Sequence, residues 1–83
     1  MRIVVKTAGL LGRHLPPGSA KNRAQLEMPA GATPNAVIEK LGMPHGERYL
    51  VALNGEIVPQ RERAVRVLAE GDELAIMPPL KGG

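Results

Sequence analysis

The first eight residues, MRIVVKTA, alternate, with Ile3, Val5 and Thr7 on one parity and Val4, Lys6 and Ala8 on the other. A period of two sends alternate side chains to opposite faces of a strand, so a strand is predicted over residues 2–8. A second alternating stretch, RAQLEMP, sets Ala24, Leu26 and Met28 against Gln25 and Glu27 and ends at Pro29. Between them, GLLGRHLPPGSAKN carries three glycines, two prolines, Ser19 and Asn22. That composition predicts a loop, read here as mobile, that closes a long hairpin. The period then changes. Pro34, Val37, Ile38 and Leu41 follow the i, i+3, i+4, i+7 spacing of one helix face. Thr33 is a suitable N-cap and Pro34 suits the first helical position, where a missing N–H costs nothing. Gly42 suits a left-handed C-cap and Pro44 blocks continuation, so a short helix is predicted over residues 34–41.

The remainder returns to strands. YLVALNGEIV has two apolar runs joined by Asn54-Gly55, whose tolerance of positive φ favours a tight hairpin. Pro59 breaks the ladder, and Val65–Leu68 is a short apolar stretch. Glu70-Gly71-Asp72 reads as a turn, and Glu73–Met77 as a last strand with Leu74 and Ile76 on one face and Ala75 and Met77 on the other. Leu53, Ile57 and Val58 are expected in the core. The order is strand, strand, helix, strand, strand, a short piece and strand. One helix and one sheet hide their apolar faces against each other. The expected class is α+β: a β-grasp with a mixed sheet of four to five strands and one helix packed across it.

Length and composition narrow the chemistry. Eighty-three residues make one small domain, able to bury roughly two-thirds of its unfolded surface. Cysteine is absent, which excludes disulfides, thiolate metal sites, iron–sulfur ligation and a cysteine nucleophile, and fits a reducing cytoplasm. The first apolar run is too short for a secretory leader, and the longest, Tyr49–Leu53, is far below the roughly 20 residues of a membrane span. A soluble cytoplasmic unit without a membrane partner is expected. His14 and His45 have no carboxylate or cysteine spacing around them, so no metal site is expected. The formal charge is +3, unevenly spread. Residues 1–23 hold Arg2, Lys6, Arg13, Lys21 and Arg23 and no acid; the rest holds six basic and eight acidic residues. This asymmetry fits either an acidic partner or a solvated surface. Tyr49 is the only aromatic residue, too little for a nucleic-acid stacking platform, and no nucleic-acid partner is expected.

The chain closes on MPPLKGG. Pro78-Pro79 sets φ twice and favours an extended exit. Gly82 and Gly83 lack a Cβ and can pass a narrow channel at angles closed to other residues. From Pro78 to Gly83 the chain reaches at most about 20 Å, at roughly 3.3–3.6 Å per residue. The organisation expected is a β-grasp domain over residues 1–77 and a flexible tail over 78–83.

With LNGEIV, LAEGDELAIMPPLKGG, the MRIVVKTAGLLGRHLP opening and the GATPNAVIEKLGMP helix, the chain resembles the MoaD/ThiS family of ubiquitin-like sulfur carriers along nearly its whole length. The resemblance implies that an E1-like adenylating enzyme uses ATP to activate the Gly83 carboxylate as an acyl-adenylate. A sulfur donor then replaces AMP, and the resulting thiocarboxylate gives its sulfur to a cofactor on a large synthase subunit. It implies a carrier rather than an enzyme, with no bound cofactor. Gly83 and Gly82 would be the chemical end, and Met77, Pro78, Pro79, Leu80 and Lys81 the partner contacts. The diproline points to the molybdopterin branch; the alternative carrier role that the resemblance implies is a ThiS-type one, giving sulfur to the thiazole of thiamin, although such carriers are usually shorter and lack the diproline. A ubiquitin-like modifier conjugated through Gly83 begins with the same adenylate. Ile76-Met77 stands where the molybdopterin branch often has phenylalanine before the prolines, so the partner's pocket there differs.

Overall fold

The computed structural model describes residues 1–16, 18–44 and 48–79. Five strands, β1 (Arg2–Thr7), β2 (Arg23–Glu27), β3 (Leu50–Leu53), β4 (Glu56–Ile57) and β5 (Glu73–Met77), form one mixed sheet in the order β2-β1-β5-β3-β4. β1 pairs antiparallel with β2 and parallel with β5; β3 pairs antiparallel with both β5 and β4. The helix α1 (Pro34–Lys40) packs its apolar residues against one face. The expected β-grasp is the observed fold.

The core follows the alternation. Ile3 and Val5 of β1, Leu74 and Ile76 of β5, and Val51 of β3 are fully buried and share one face by register. Ala24 and Leu26 extend that face on β2, and Pro34, Val37 and Ile38 of α1 cover it.

The helix ends as its punctuation predicts, one residue early. The Thr33 Oγ1 accepts the Ala36 N–H at 3.4 Å. At the other end the Gly42 N–H donates to Glu39 and the Met43 N–H to Ile38, with Gly42 at a φ of 69°. This paired closure satisfies carbonyls that the helix would leave bare, and it buries Met43 beside the last turn. Leu41 is therefore the C-cap rather than the last helical residue, half-buried against the core.

Two expectations are corrected, and a stretch left open is placed. First, Ile57 is not core. The Asn54-Gly55 turn pairs Ala52 with Ile57, which places Ile57 on the face away from α1 at the sheet edge, 57% exposed. Leu53 and Val58 are buried as expected. The short apolar stretch over residues 65–68 forms no strand: Val65 and Val67 point to solvent, and only Leu68 is buried, its N–H bonded to the Ala32 carbonyl. Second, the long β1–β2 connection is more than a loop. It contains a 3-10 helix over Gly9–His14, and Leu15 enters the core. Asn22, at a φ of 58°, locks it: its carbonyl accepts the Thr7 N–H and its Oδ1 accepts the Thr7 hydroxyl. Gly12 lies so close to this side chain that a Cβ there would collide with Asn22 Oδ1.

Among the described residues one charged side chain is buried. Arg63 is 6% exposed; its Nε donates to the Val58 carbonyl at 3.3 Å, and its own carbonyl accepts the Asn35 N–H. Burial lowers its pKa from the ordinary value. The residue ties the segment after β4 to the start of α1.

Candidate functional site: the root of the C-terminal tail

β5 is the central strand, flanked by β1 and β3. Leu74 and Ile76, both fully buried, clamp it from the helix side. Its start is clamped by the two turns beside it. The Asn54 Nδ2 donates to Asp72 Oδ1 at 3.0 Å, and its Oδ1 accepts the Glu73 N–H at 2.9 Å. Asp72 Oδ2 accepts the Ala69 N–H at 2.8 Å, and the Gly71 N–H donates to the Arg2 carbonyl. With register set at its start and core at its middle, β5 delivers its last residue to a defined place. Met77, opposite Leu50, is half-buried on the face away from α1, and Pro78 and Pro79 beyond it are exposed. The chain thus leaves the sheet from its centre with its φ angles restricted twice. Leu80, Lys81, Gly82 and Gly83, the other anticipated site residues, lie outside the described residues.

The face around this root has two halves. By register, Ala75 and Met77 of β5, Leu50 and Ala52 of β3 and Ile57 of β4 form an apolar half. Lys6 and Arg2 of β1, Arg23 and Glu27 of β2 and Glu73 of β5 form a charged half, linked by ion pairs from Glu73 to Lys6 at 3.2 Å and to Arg23 at 3.9 Å. Sequence reasoning selected Met77 and put Ala75 on its face, but missed Leu50, Ala52 and Ile57 as companions. A signal existed: a two-residue turn at Asn54-Gly55 forces Leu53 opposite Glu56 and Ala52 opposite Ile57. Among the described residues no group of three His, Asp or Glu side chains is placed to hold a metal ion. None of their helices is long and apolar enough to cross a membrane.

The family model that matches this sequence is that of the ThiS family, over residues 17–83. The chain belongs to the ThiS family. The match includes the β2 hairpin strand, α1, the β3–β4 turn, β5 and the closing MPPLKGG. No curated protein matches the sequence significantly. Solved structures share the fold of this ThiS-family protein. The putative molybdopterin converting factor subunit 1 from Pyrococcus furiosus is 22% identical, with 95% of this chain and 98% of that one covered and a TM-score of 0.71. SAMP1 from Haloferax volcanii is 18% identical over the whole of both chains, with a TM-score of 0.70. A chain from the complex of subunits 1 and 2 of the molybdopterin-converting factor from Helicobacter pylori is 17% identical over the whole of both chains, with a TM-score of 0.61. At these identities the likeness is one of fold.

Proposed function

We propose that this ThiS-family protein carries sulfur on the carboxylate of Gly83, and that the sulfur is destined for the dithiolene of molybdopterin. The carboxylate attacks the α-phosphorus of ATP on an E1-like adenylating enzyme, forming the acyl-adenylate and releasing pyrophosphate. A sulfur donor then displaces AMP and leaves the thiocarboxylate, which a large synthase subunit consumes. The observation that carries this reading is the way β5 ends. A strand held at the centre of the sheet runs out through the exposed Pro78-Pro79 towards Leu80, Lys81, Gly82 and Gly83, within a family match that extends to residue 83. A carboxylate is a poor nucleophile, and activation depends on holding it in line and at a fixed reach inside the partner. A rigid root and a glycine end meet that demand. Met77, Pro78, Pro79, Leu80 and Lys81 make the partner contacts, and the apolar face around Met77 adjoins them. ATP belongs to the partner; the carrier binds no cofactor of its own.

The molybdopterin branch is favoured by the diproline and by the converting-factor subunits among the structural neighbours. The modifier reading is favoured by the neighbour described as a small archaeal modifier protein. Both begin with the same adenylate and part at the acceptor. The test is ATP–pyrophosphate exchange with the adenylating enzyme of the same organism, followed by intact mass after adding a sulfide source. Exchange that requires Gly83, with the mass gain of one oxygen replaced by sulfur, is expected. Lysine-linked conjugates without transfer of sulfur to the molybdopterin precursor would favour the modifier. Absence of exchange would overturn the reading.

A further inference from the structure

We infer that the end of the sheet from which the tail emerges is a second grip on the adenylating enzyme, and that this enzyme presents an acidic surface with an apolar recess beside the mouth that admits the tail. The inference rests on the sulfur-carrier reading for the identity of the partner. Its own basis is topological. β1 and β5 are parallel, with Thr7 opposite Ile76, so the chain leaves both strands at the same end of the sheet. β2 begins at that end as well, Arg23 being opposite Lys6, and so does β3, Leu50 being opposite Met77. The described residues gathered there, 8–16, 18–23, 48–50 and 76–79, contain Arg13, Lys21, Arg23 and Arg48 and no carboxylate. The opposite end carries Glu27, Glu56, Glu70, Asp72 and Glu73. Arg23 is drawn to Glu73, and at the opposite end the N-terminal ammonium, Arg2 and Arg66 pair with Glu27 and Glu56. What distinguishes the end from which the tail leaves is Arg13 and Lys21, which have no such carboxylate beside them among the described residues.

Two local features give that end a shape. Arg13 and Lys21 line an open concavity of about 300 Å³ between the 3-10 helix and residues 18–22, together with Leu10, Gly12 and Asn22. Neither cation has an ion-pair partner among the described residues. The concavity suits a carboxylate side chain reaching in from the partner. Beside it Leu10 is 80% exposed, the most exposed large apolar side chain described, on a loop locked by Asn22 and anchored by Leu15. An apolar side chain held out on a stiff loop loses little entropy when it is buried, which is what an interface anchor needs. The cations beside it act earlier, by steering the encounter.

The experiment measures the KM for the full-length carrier in ATP–pyrophosphate exchange with the adenylating enzyme of the same organism, at low and high salt. The R13S/K21S variant is expected to raise KM about three- to tenfold at low salt, with the gap closing as salt screens the charges, and to leave kcat unchanged. Leu10→Ser is expected to raise KM by a similar factor of about three- to tenfold at both salt concentrations, because apolar burial is not screened. Arg61→Ser, which removes a cation beyond β4 on the far edge of the sheet, is expected to change nothing. Both variants alter exposed side chains, and a thermal melt of each checks that it folds. If KM for both stays within about twofold of the parent, too small a change for an anchor or a steering charge, the inference fails while the sulfur-carrier reading stands. If the parent protein supports no exchange at all, both fail. A concentration-dependent dimer of the parent that Leu10→Ser abolishes would assign Leu10 to self-association and also overturn the inference.

Discussion

The two ends of the sheet do different work with different materials. At one end, two tight turns, Asn54-Gly55 and Glu70-Gly71-Asp72, are stitched to each other and to β1. Asn54 bonds Asp72 and Glu73, the Glu70 carboxylate accepts the Arg2 N–H at 2.9 Å, and the Val4 N–H donates to the Asp72 carbonyl. At the other end lie a long basic loop, an exposed leucine and a restricted tail. The first end sets the register of β5; the second presents what β5 delivers. A carrier benefits from this division. Under the proposed function, the hydrogen-bonded turns that fix β5 lie away from the end at which the tail would enter a partner.

The largest expected effect lies on the presenting end. Removing Gly83, or adding one residue after it, should abolish activation in pyrophosphate exchange and leave the thermal midpoint unchanged. Undiminished exchange by the extended protein would dissolve the functional contrast between the ends. Next comes the core that joins them. Leu74→Ala, at a fully buried position opposite Val5 and Leu53, should cost about 2–5 kcal/mol by urea titration, the usual range for a buried leucine. Leu41→Ala, at the half-buried C-cap, should cost clearly less. Equal losses would mean that the helix is seated differently.

The stitched end is tested by Asn54→Ala. The substitution removes a residue that tolerates a φ of 50° and two side-chain hydrogen bonds. A loss of about 1–3 kcal/mol is expected with docking unchanged in the folded protein. Docking that weakened in step with stability would blur the division. On the presenting end, Gly12→Ala drives a methyl into Asn22 Oδ1, which already accepts the Thr7 hydroxyl. The expected cost is about 1 kcal/mol, that of one displaced hydrogen bond, read as a lower urea midpoint. Smallest of all, Val65→Ser, on the solvent-facing segment after β4, should stay within about 0.5 kcal/mol of the parent. A larger loss would reveal packing that the structure does not contain.

Local chemistry was enough for much of this molecule. Thr33, Pro34 and Gly42 bounded the helix because capping and φ preference act within a turn of chain. Alternation marked β1, β2 and β5, and Asn54-Gly55 marked the hairpin. The glycine end and the diproline were legible as a candidate tail through their covalent limits alone. Other features were not legible residue by residue. Val65 and Val67 look like a strand in isolation, but no neighbouring strand pairs with them. Ile57 looks like core until its pairing with Ala52 turns it outward. The stretch from Gly9 to Asn22 looks like slack, because the lock between Thr7, Gly12 and Asn22 joins residues apart in sequence. Above all, only the parallel pairing of β1 with β5 sets the basic loop beside the tail. That pairing joins the first strand to the last. It is decided by which apolar faces can be buried together under one helix, a property of the whole sheet that no short stretch of sequence contains.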